Sequence, residues 1–433
     1  MTDAPAPRTH PPETDADPSL AELTRVFARI GALSFGGPAA QIALMHRVLV
    51  DERGWLSERQ FLGALSFCML LPGPEAMQLC TYAGWRLRGI AGGLIAGGLF
   101  VAPGAAVILA LALLYVHFGA QPFVQDAFLG IKAAVTVIVV QALLRVAGKA
   151  LTGALAWGLA AAAFVALFAF SVPFPSVIAA AALAGALAAR GAREGPAPVL
   201  ARSAGRTAAV IAALGALWAA PLLVAWAVGA TLMLEIGLFF SRLAVVTFGG
   251  AYAVLAYMAQ EVVAERGWLG PSQMIDALGL AETTPGPLIL VTEFVGALAG
   301  AAAGGVPGAV AGAAMTLWVT FVPCFLWIFA GAPYIEWITG QPRLKGALDG
   351  ITAAVVGVIA NLSVWFAAHV FFGEVGEAAL GPFEMIAPRL ASFDPAAAAL
   401  ALLAGALLLW RKASLPLTLA LMSACGLALG AFA

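Results

Sequence analysis

Apolar residues in this chain come in long unbroken runs and not in alternation. Clear runs cover about 90–118, 123–147, 150–170, 173–190, 207–228, 306–330, 346–372, 393–410 and 414–432. A hydrocarbon core about 30 Å thick needs roughly 20 apolar residues in a helix, so each run predicts a transmembrane helix. The absence of alternation excludes a membrane β-barrel. Two further stretches, 20–85 and 233–298, are apolar but broken by Gly, Pro and charge. Each predicts either two interrupted spans or a re-entrant pair, giving about 13 membrane segments in the first case and 9 in the second. The expected fold is an all-α polytopic membrane protein.

Composition agrees. Of 433 residues, 62% are apolar and 10% charged, and the mean hydropathy is +0.97. A soluble domain is nearer a quarter charged. The net charge of −1 offers no basic surplus for phosphates, which excludes nucleic acid as a partner. Residues 1–19, rich in Pro and Asp, predict a disordered tail. Cys68, Cys80, Cys324 and Cys425, like the four His, lack metal-ligand spacing. No metal site or cofactor is expected, and the cysteines read as small buried hydrophobes.

The chain repeats itself. A shift of 213 lays Phe35-Gly36-Gly37 on Phe248-Gly249-Gly250, Glu52-Arg53-Gly54-Trp55-Leu56 on Glu265-Arg266-Gly267-Trp268-Leu269, and Pro72-Gly73-Pro74 on Pro285-Gly286-Pro287. Over residues 35–74 this gives 18 identities in 40 positions without a gap, far beyond chance even for an Ala-rich chain. After an insertion the shift becomes 220, pairing Pro103 with Pro323 and Gly130-Ile131 with Gly350-Ile351. The predicted organisation is a tail at 1–19, a first repeat at 20–190, a linker with one extra helix at 191–232, and a second repeat at 233–433.

Basic residues set the sidedness. Arg86 and Arg88, Arg145 and Lys149, Arg190 to Arg206, Arg343 and Lys345, then Arg411 and Lys412 occupy alternate loops, while the intervening loops carry only Arg389. The N-terminus is then cytoplasmic and the C-terminus external. The loop after the first motif region is cytoplasmic, and its counterpart near 299–305 is external. The two repeats are therefore inverted, an architecture of transporters, whose substrate sites lie near the midplane between repeats.

Pro-Gly-Pro bars a continuous helix. It predicts one helix ending near Leu71 and another starting at Pro74, with a positive dipole end and free N–H groups inside the membrane. Two inverted copies, Pro72, Gly73, Pro74 and Pro285, Gly286, Pro287, could aim two such ends at one anion, with kinks kept for packing as the alternative. Ser34 with Gly36 and Gly37, and Thr247 with Gly249 and Gly250, place a hydroxyl beside a Gly pair that suits a ligand or close helix packing. Gly93 with Gly97 or Gly98 reads as a helix-packing face. Arg29 and Arg242 could hold a dianion or pair with Glu22 and Glu235. Lys132, near the start of an apolar span with only Asp126 close in sequence, is a further cation for the site. Thr283 and Thr284 could donate to an oxyanion. Glu75 and Glu282, flanking the two breaks unequally, are candidates for proton coupling or for plain capping.

These motifs carry a resemblance. SFGGPAAQIALMHR at 34–47, ERGWLSERQFL at 52–62, CMLLPGPEAMQL at 68–79, TFGGAYAVL at 247–255 and ETTPGPLI at 282–289 resemble the chromate transporter (chromate ion transporter) family in its long, two-domain form. The resemblance implies export of chromate from the bacterial cytoplasm across the inner membrane and resistance to it, with the lipid bilayer as surroundings. Single-domain members work as oppositely oriented pairs, in agreement with the inversion read from the loops. Departures fall at Gly63, Ser66 and Ala133. An outward dianion gains about 2.3 kcal/mol per charge per 100 mV of inside-negative potential. Sulfate or another tetrahedral oxyanion is the alternative cargo, and assembly as a homodimer stays open. A membrane-embedded oxyanion-processing enzyme is disfavoured, since no Cys/His cluster or cofactor motif supplies redox chemistry. A passive channel is the third reading.

Overall fold

The structure, a computed structural model, describes residues 18–189, 204–248, 251–380 and 383–432. Most of the 1–19 tail and Arg190, Arg193 and Arg202 of the linker lie outside these residues. The chain is an all-α membrane protein with one small exception. Six helices are long and apolar enough to cross a membrane, and three shorter apolar ones accompany them, at Ala154–Phe170, Phe174–Ala188 and Pro395–Trp410. They coincide with the nine apolar runs of the sequence.

Each half presents the same succession of elements. The first begins with α1 (Leu20–Ala32), α2 (Gly37–His46) with a π-helical continuation through Arg47–Glu52, and α3 (Glu58–Met69). It continues through α4 (Glu75–Phe118), α5 (Pro122–Ala150), α6 (Ala154–Phe170) and α7 (Phe174–Ala188). After α8 (Ala204–Ala227) come α9 (Thr231–Val246), α10 (Ala251–Met258) with a π continuation through Ala259–Glu265, α11 (Pro271–Thr283) and α12 (Val291–Gly331). The short α13 (Ile335–Thr339) leads to α14 (Pro342–Phe371), then α15 (Pro395–Gly405) and α16 (Leu415–Phe432). The exception is a hairpin, β1 (Val375–Leu380) paired antiparallel with β2 (Phe383–Pro388), with Val375 opposite Pro388. Sequence reading treats 373–392 as a plain loop. Neither strand carries the long apolar alternation that announces a sheet face.

The short helices fold back in pairs. Glu22, in the first turn of α1, accepts from Arg53 at 2.8 Å, so the beginning of α1 and the far end of the α2 segment lie on one face. Both groups are about 40% exposed, so the pair adds little stability, but it reports the reversal. In the second half Arg53's equivalent, Arg266, turns instead to Glu261 at 3.4 Å and stacks over Phe239 and Trp268. Phe239 of α9 thus lies against the residue that follows α10, and that pair doubles back as well.

Helix α4 is interrupted at Arg88–Gly89, where Gly89 has φ +65°, and α12 at Gly304–Gly305, where Gly305 has φ +58°. Each helix is therefore a short limb folded onto a long one. The fold needs glycine where the limbs touch. A Cβ on Gly84 would stand 2.2 Å from the carbonyl oxygen of Gly92, and one on Gly300 2.1 Å from that of Gly308. Gly93 and Gly97 do form a packing face, against Phe329 and against Thr81 and Phe325, whereas Gly98 has open space around it.

Candidate functional site

Pro72-Gly73-Pro74 joins α3 to α4, and Pro285-Gly286-Pro287 joins α11 to a 3-10 turn (Leu288–Leu290) that leads into α12. The interruptions fall where the sequence places them, with α4 starting at Glu75 behind an extended Pro74. Both glycines have positive φ, +120° at Gly73 and +87° at Gly286. That conformation presents each N–H sideways, and each is taken by the other half. Gly73 N–H donates to the Thr247 carbonyl at 2.8 Å, and Gly286 N–H donates to the Ser34 carbonyl at 2.8 Å. The two Pro-Gly-Pro breaks and the residues before the two Gly pairs are thus laced together reciprocally.

Between them lies a cavity of about 20 Å³, lined by Pro38, Gln41, Gly73 to Ala76, Thr247 and Pro287 to Ile289. The start of α4 and the 3-10 turn that leads into α12 face this one space, and the first N–H groups of a helix have no partner within that helix. The volume suits a single water and is too small for an anion with four oxygens. Two glutamines brace the junction, Gln41 from the cavity wall and Gln78 from beside Gly73. Gln41 Nε2 donates to the Gly286 carbonyl at 2.7 Å and to the Ser34 carbonyl at 3.3 Å, and Gln78 Nε2 donates to the Pro72 carbonyl at 2.7 Å. The amide oxygen of each is buried with no hydrogen-bond partner among the described residues.

The sequence-predicted residues divide. Ser34 and Thr247 are buried at the junction, yet their hydroxyls donate to the carbonyls of Ile30 and Leu243 at 2.6 and 2.5 Å. Thr283 and Thr284 donate likewise to Leu280 and Ala281. None of these four protons is free for an oxyanion in this arrangement. Gly36 and Gly37, both with positive φ, turn the chain from α1 into α2, and no heavy atom stands within 4 Å of a Cβ built on Gly37. Gly249 and Gly250 lie outside the described residues. Glu75 lines the cavity, and Glu282 is buried, accepting from the Tyr252 hydroxyl at 2.6 Å. Arg29 and Arg242 are exposed. The suggested Arg29–Glu22 pair is not formed, because Glu22 is taken by Arg53.

Lys132 has a partner that sequence proximity does not reveal. Its ammonium is 3.5 Å from the fully buried Asp276 carboxylate and donates to Ser272 at 2.6 Å. Tyr115 donates to the same Asp276 at 2.7 Å. Lys132 and Tyr115 come from the first half and Asp276 from the second, so the cluster ties the halves together. Sequence reading misses Asp276, Gln41, Gln78 and Tyr252. A lone carboxylate inside the apolar stretch 274–281 is the signal that could have pointed to Asp276. Glu293 is a further omission. It is 1% exposed, and neither carboxylate oxygen has a hydrogen-bond partner among the described residues.

An apolar helical bundle whose interrupted helices meet in pairs at a buried junction is the build of a membrane transporter. The chain belongs to the chromate transporter family: the family model described as chromate transporter matches residues 21–186 and 234–430. A chromate transport protein of Pseudomonas aeruginosa is 34% identical over 81% of this chain and 82% of its own length. One from Cupriavidus metallidurans is 32% identical over 81% and 85%. A probable chromate transport protein of Synechococcus elongatus is 31% identical over 80% and 84%. No solved structure matches the chain.

Proposed function

We propose that this protein exports chromate from the bacterial cytoplasm across the inner membrane, and so confers resistance, holding the dianion at the junction of its two Pro-Gly-Pro breaks. The observation that carries this reading is the reciprocal pair of hydrogen bonds, Gly73 to Thr247 and Gly286 to Ser34, which brings both interrupted helix starts to one cavity. Each helix start is worth about half a positive charge. Two supply roughly one, against the two negative charges of chromate. Partial compensation suits a transport site, which must release what it binds.

The doubling back of α1 on α2 favours re-entrant motif regions and hence nine crossings, the six long and three shorter apolar helices. With the basic loops inside, the repeats 20–190 and 233–433 are inverted, the N-terminus is cytoplasmic and the C-terminus external. The 191–232 segment supplies the odd crossing in α8. In the present arrangement the cavity is closed to chromate, so loading requires one Pro-Gly-Pro strand to part from its partner while the other stays bonded. Alternation between the two bonds gives access from one side at a time. Glu75, beside the site, and Glu282, held by Tyr252, are the candidates for proton coupling, with plain helix capping as their alternative role. Chromate flux into inside-out vesicles, for wild type and Gly286→Val, is the test: saturable uptake lost in the variant is expected. Uptake of sulfate but not chromate would move the cargo to the alternative oxyanion, and movement of neither would end the reading. Protease protection of a C-terminal tag tests the orientation.

A further inference from the structure

Sharing no lining residue with the cavity at the Pro-Gly-Pro junction, a crevice of about 390 Å³ opens where α4 breaks and α8 begins. Its polar end carries Arg86, Arg206 and Thr207 with the Trp85 indole, and its walls include Val210 and Phe329. Neither guanidinium forms an ion pair among the described residues, where each of Arg47, Arg53, Arg266 and Arg389 has a carboxylate within 4 Å. Two guanidiniums without an ion-pair partner among the described residues favour an anion on the crevice they share, and the fork geometry of arginine matches phosphate oxygens.

What lies beside the polar end decides the kind of anion. Helix α8 packs by one face on α12 and α9 through Val210, Leu214, Trp218 and Leu222, while Ile211, Leu217, Leu223 and Val224 stand exposed along its other side. The crevice is therefore continuous with the lipid-facing side of α8. Arg86 and Arg206 sit at helix boundaries, and Trp85 beside them has the amphipathic ring that favours the headgroup level. A small inorganic oxyanion would use the guanidiniums but leave the apolar walls empty. An amphiphile uses both.

We propose that this crevice is a binding site for an anionic phospholipid, with its headgroup phosphate between Arg86 and Arg206 and an acyl chain along Val210 and the exposed face of α8. Basic pockets between transmembrane helices are sites of this chemistry. The lipid would wedge α8 against the break in α4, where the short limb leading from the Pro-Gly-Pro junction turns back.

The test uses full-length protein in nanodiscs of phosphatidylcholine with a minor fraction of phosphatidylglycerol, with lipid retention after extraction read by native mass spectrometry. Wild type is expected to retain phosphatidylglycerol in preference to phosphatidylcholine. Arg86→Gln with Arg206→Gln should weaken that retention about 30-fold, the change expected for two basic residues at a headgroup. Arg86→Lys with Arg206→Lys should restore part of it. Val210→Trp, which fills the apolar wall and keeps both charges, should also reduce it, and elution profile and melting temperature report whether each variant is folded. Equal retention by wild type and the folded glutamine variant would overturn the proposal. So would displacement of the lipid by millimolar inorganic phosphate, which would assign the site to a free oxyanion.

Discussion

Removing Lys132 tests whether its charge serves the transported anion or the protein itself. Its ammonium stands 3.5 Å from a carboxylate with no exposed surface, and its own side chain is 15% exposed. At an effective dielectric of about 20, that separation corresponds to an attraction of about 5 kcal/mol. Desolvation of both charges offsets much of this, so the net value of the pair is small. Deleting one partner is different, because the other is left buried and uncompensated, at about 3–5 kcal/mol. Lys132→Met should therefore destabilise by about 3–5 kcal/mol, with only the Tyr115 hydroxyl left to Asp276. Asp276→Asn should cost less, since the partly exposed ammonium can swing toward the interface. The double variant should be more stable than Lys132→Met alone, with a coupling energy of about 2 kcal/mol or more. Equilibrium unfolding in mixed micelles gives the cycle, and chromate flux measured on the same four proteins separates the roles. If the pair is structural, the double variant transports. Additivity within about 0.5 kcal/mol would refute the coupling. Flux lost in the double variant despite recovered stability would return Lys132 to the anion path.

Gly73→Ala should cost about 1–3 kcal/mol from φ +120° alone. Its new Cβ would also stand 2.9 Å from Gln78 Nε2 and Cys324 Sγ, so a melting temperature unchanged from wild type would contradict the geometry. Gln41→Val copies the residue at the equivalent place in the second half and removes the bonds to Gly286 and Ser34. It should cost about 1–2 kcal/mol and slow flux, read by unfolding and vesicle uptake. At the tip of the α2–α3 hairpin, the Glu58 carboxylate 2.6 Å from His46 holds the imidazolium above its usual pKa of 6.5. Stability from this pair is present in full below pH 6.5 and is lost as pH rises through the higher folded value. The gain is less than about 1 kcal/mol for so exposed a group. His46→Gln should flatten the change in melting temperature between pH 6 and pH 8.

Much of the fold is legible because its cause is local. A run of apolar residues has one low-cost conformation in hydrocarbon, and Pro-Gly-Pro forbids that conformation wherever it occurs, so helices and breaks both follow from neighbouring residues. Arg53 illustrates the limit. Glu22 has Arg25 and Arg29 on its own helix, yet it pairs with a residue on the returning limb. The reversal at Gly36-Gly37 decides that, and nothing in residues 20–32 announces it. Asp276 and Lys132 are a harder case, since they are brought together by the docking of two halves. The reciprocal bonds of Gly73 and Gly286 are backbone to backbone, and no side-chain pattern encodes them. Duplicated motifs indicate that the two sites are alike. That they meet is a fact of tertiary structure.

The polar residues around the junction are mostly those that break the repeat. Gln41 faces Val254 across the duplication, Gln78 faces Val291, Glu75 faces Leu288, Glu282 faces Met69, and Asp276 faces Gly63. With the repeats inverted as proposed above, a strictly symmetric scaffold would give equal access from either side of the membrane, and departures of this kind are where a preference for one direction would arise. Glu293, opposite Cys80 in the duplication, is the most isolated of them. An ionised carboxylate without a partner is among the most expensive groups to bury, whereas an amide of the same shape carries no charge to desolvate. Glu293→Gln should therefore leave stability unchanged or raise it, measured by unfolding in micelles. A loss of stability above about 1 kcal/mol would refute this and mean that the carboxylate has a partner in the membrane. If stability holds while chromate flux falls and its dependence on pH flattens, the carboxylate serves the transport cycle and not the fold.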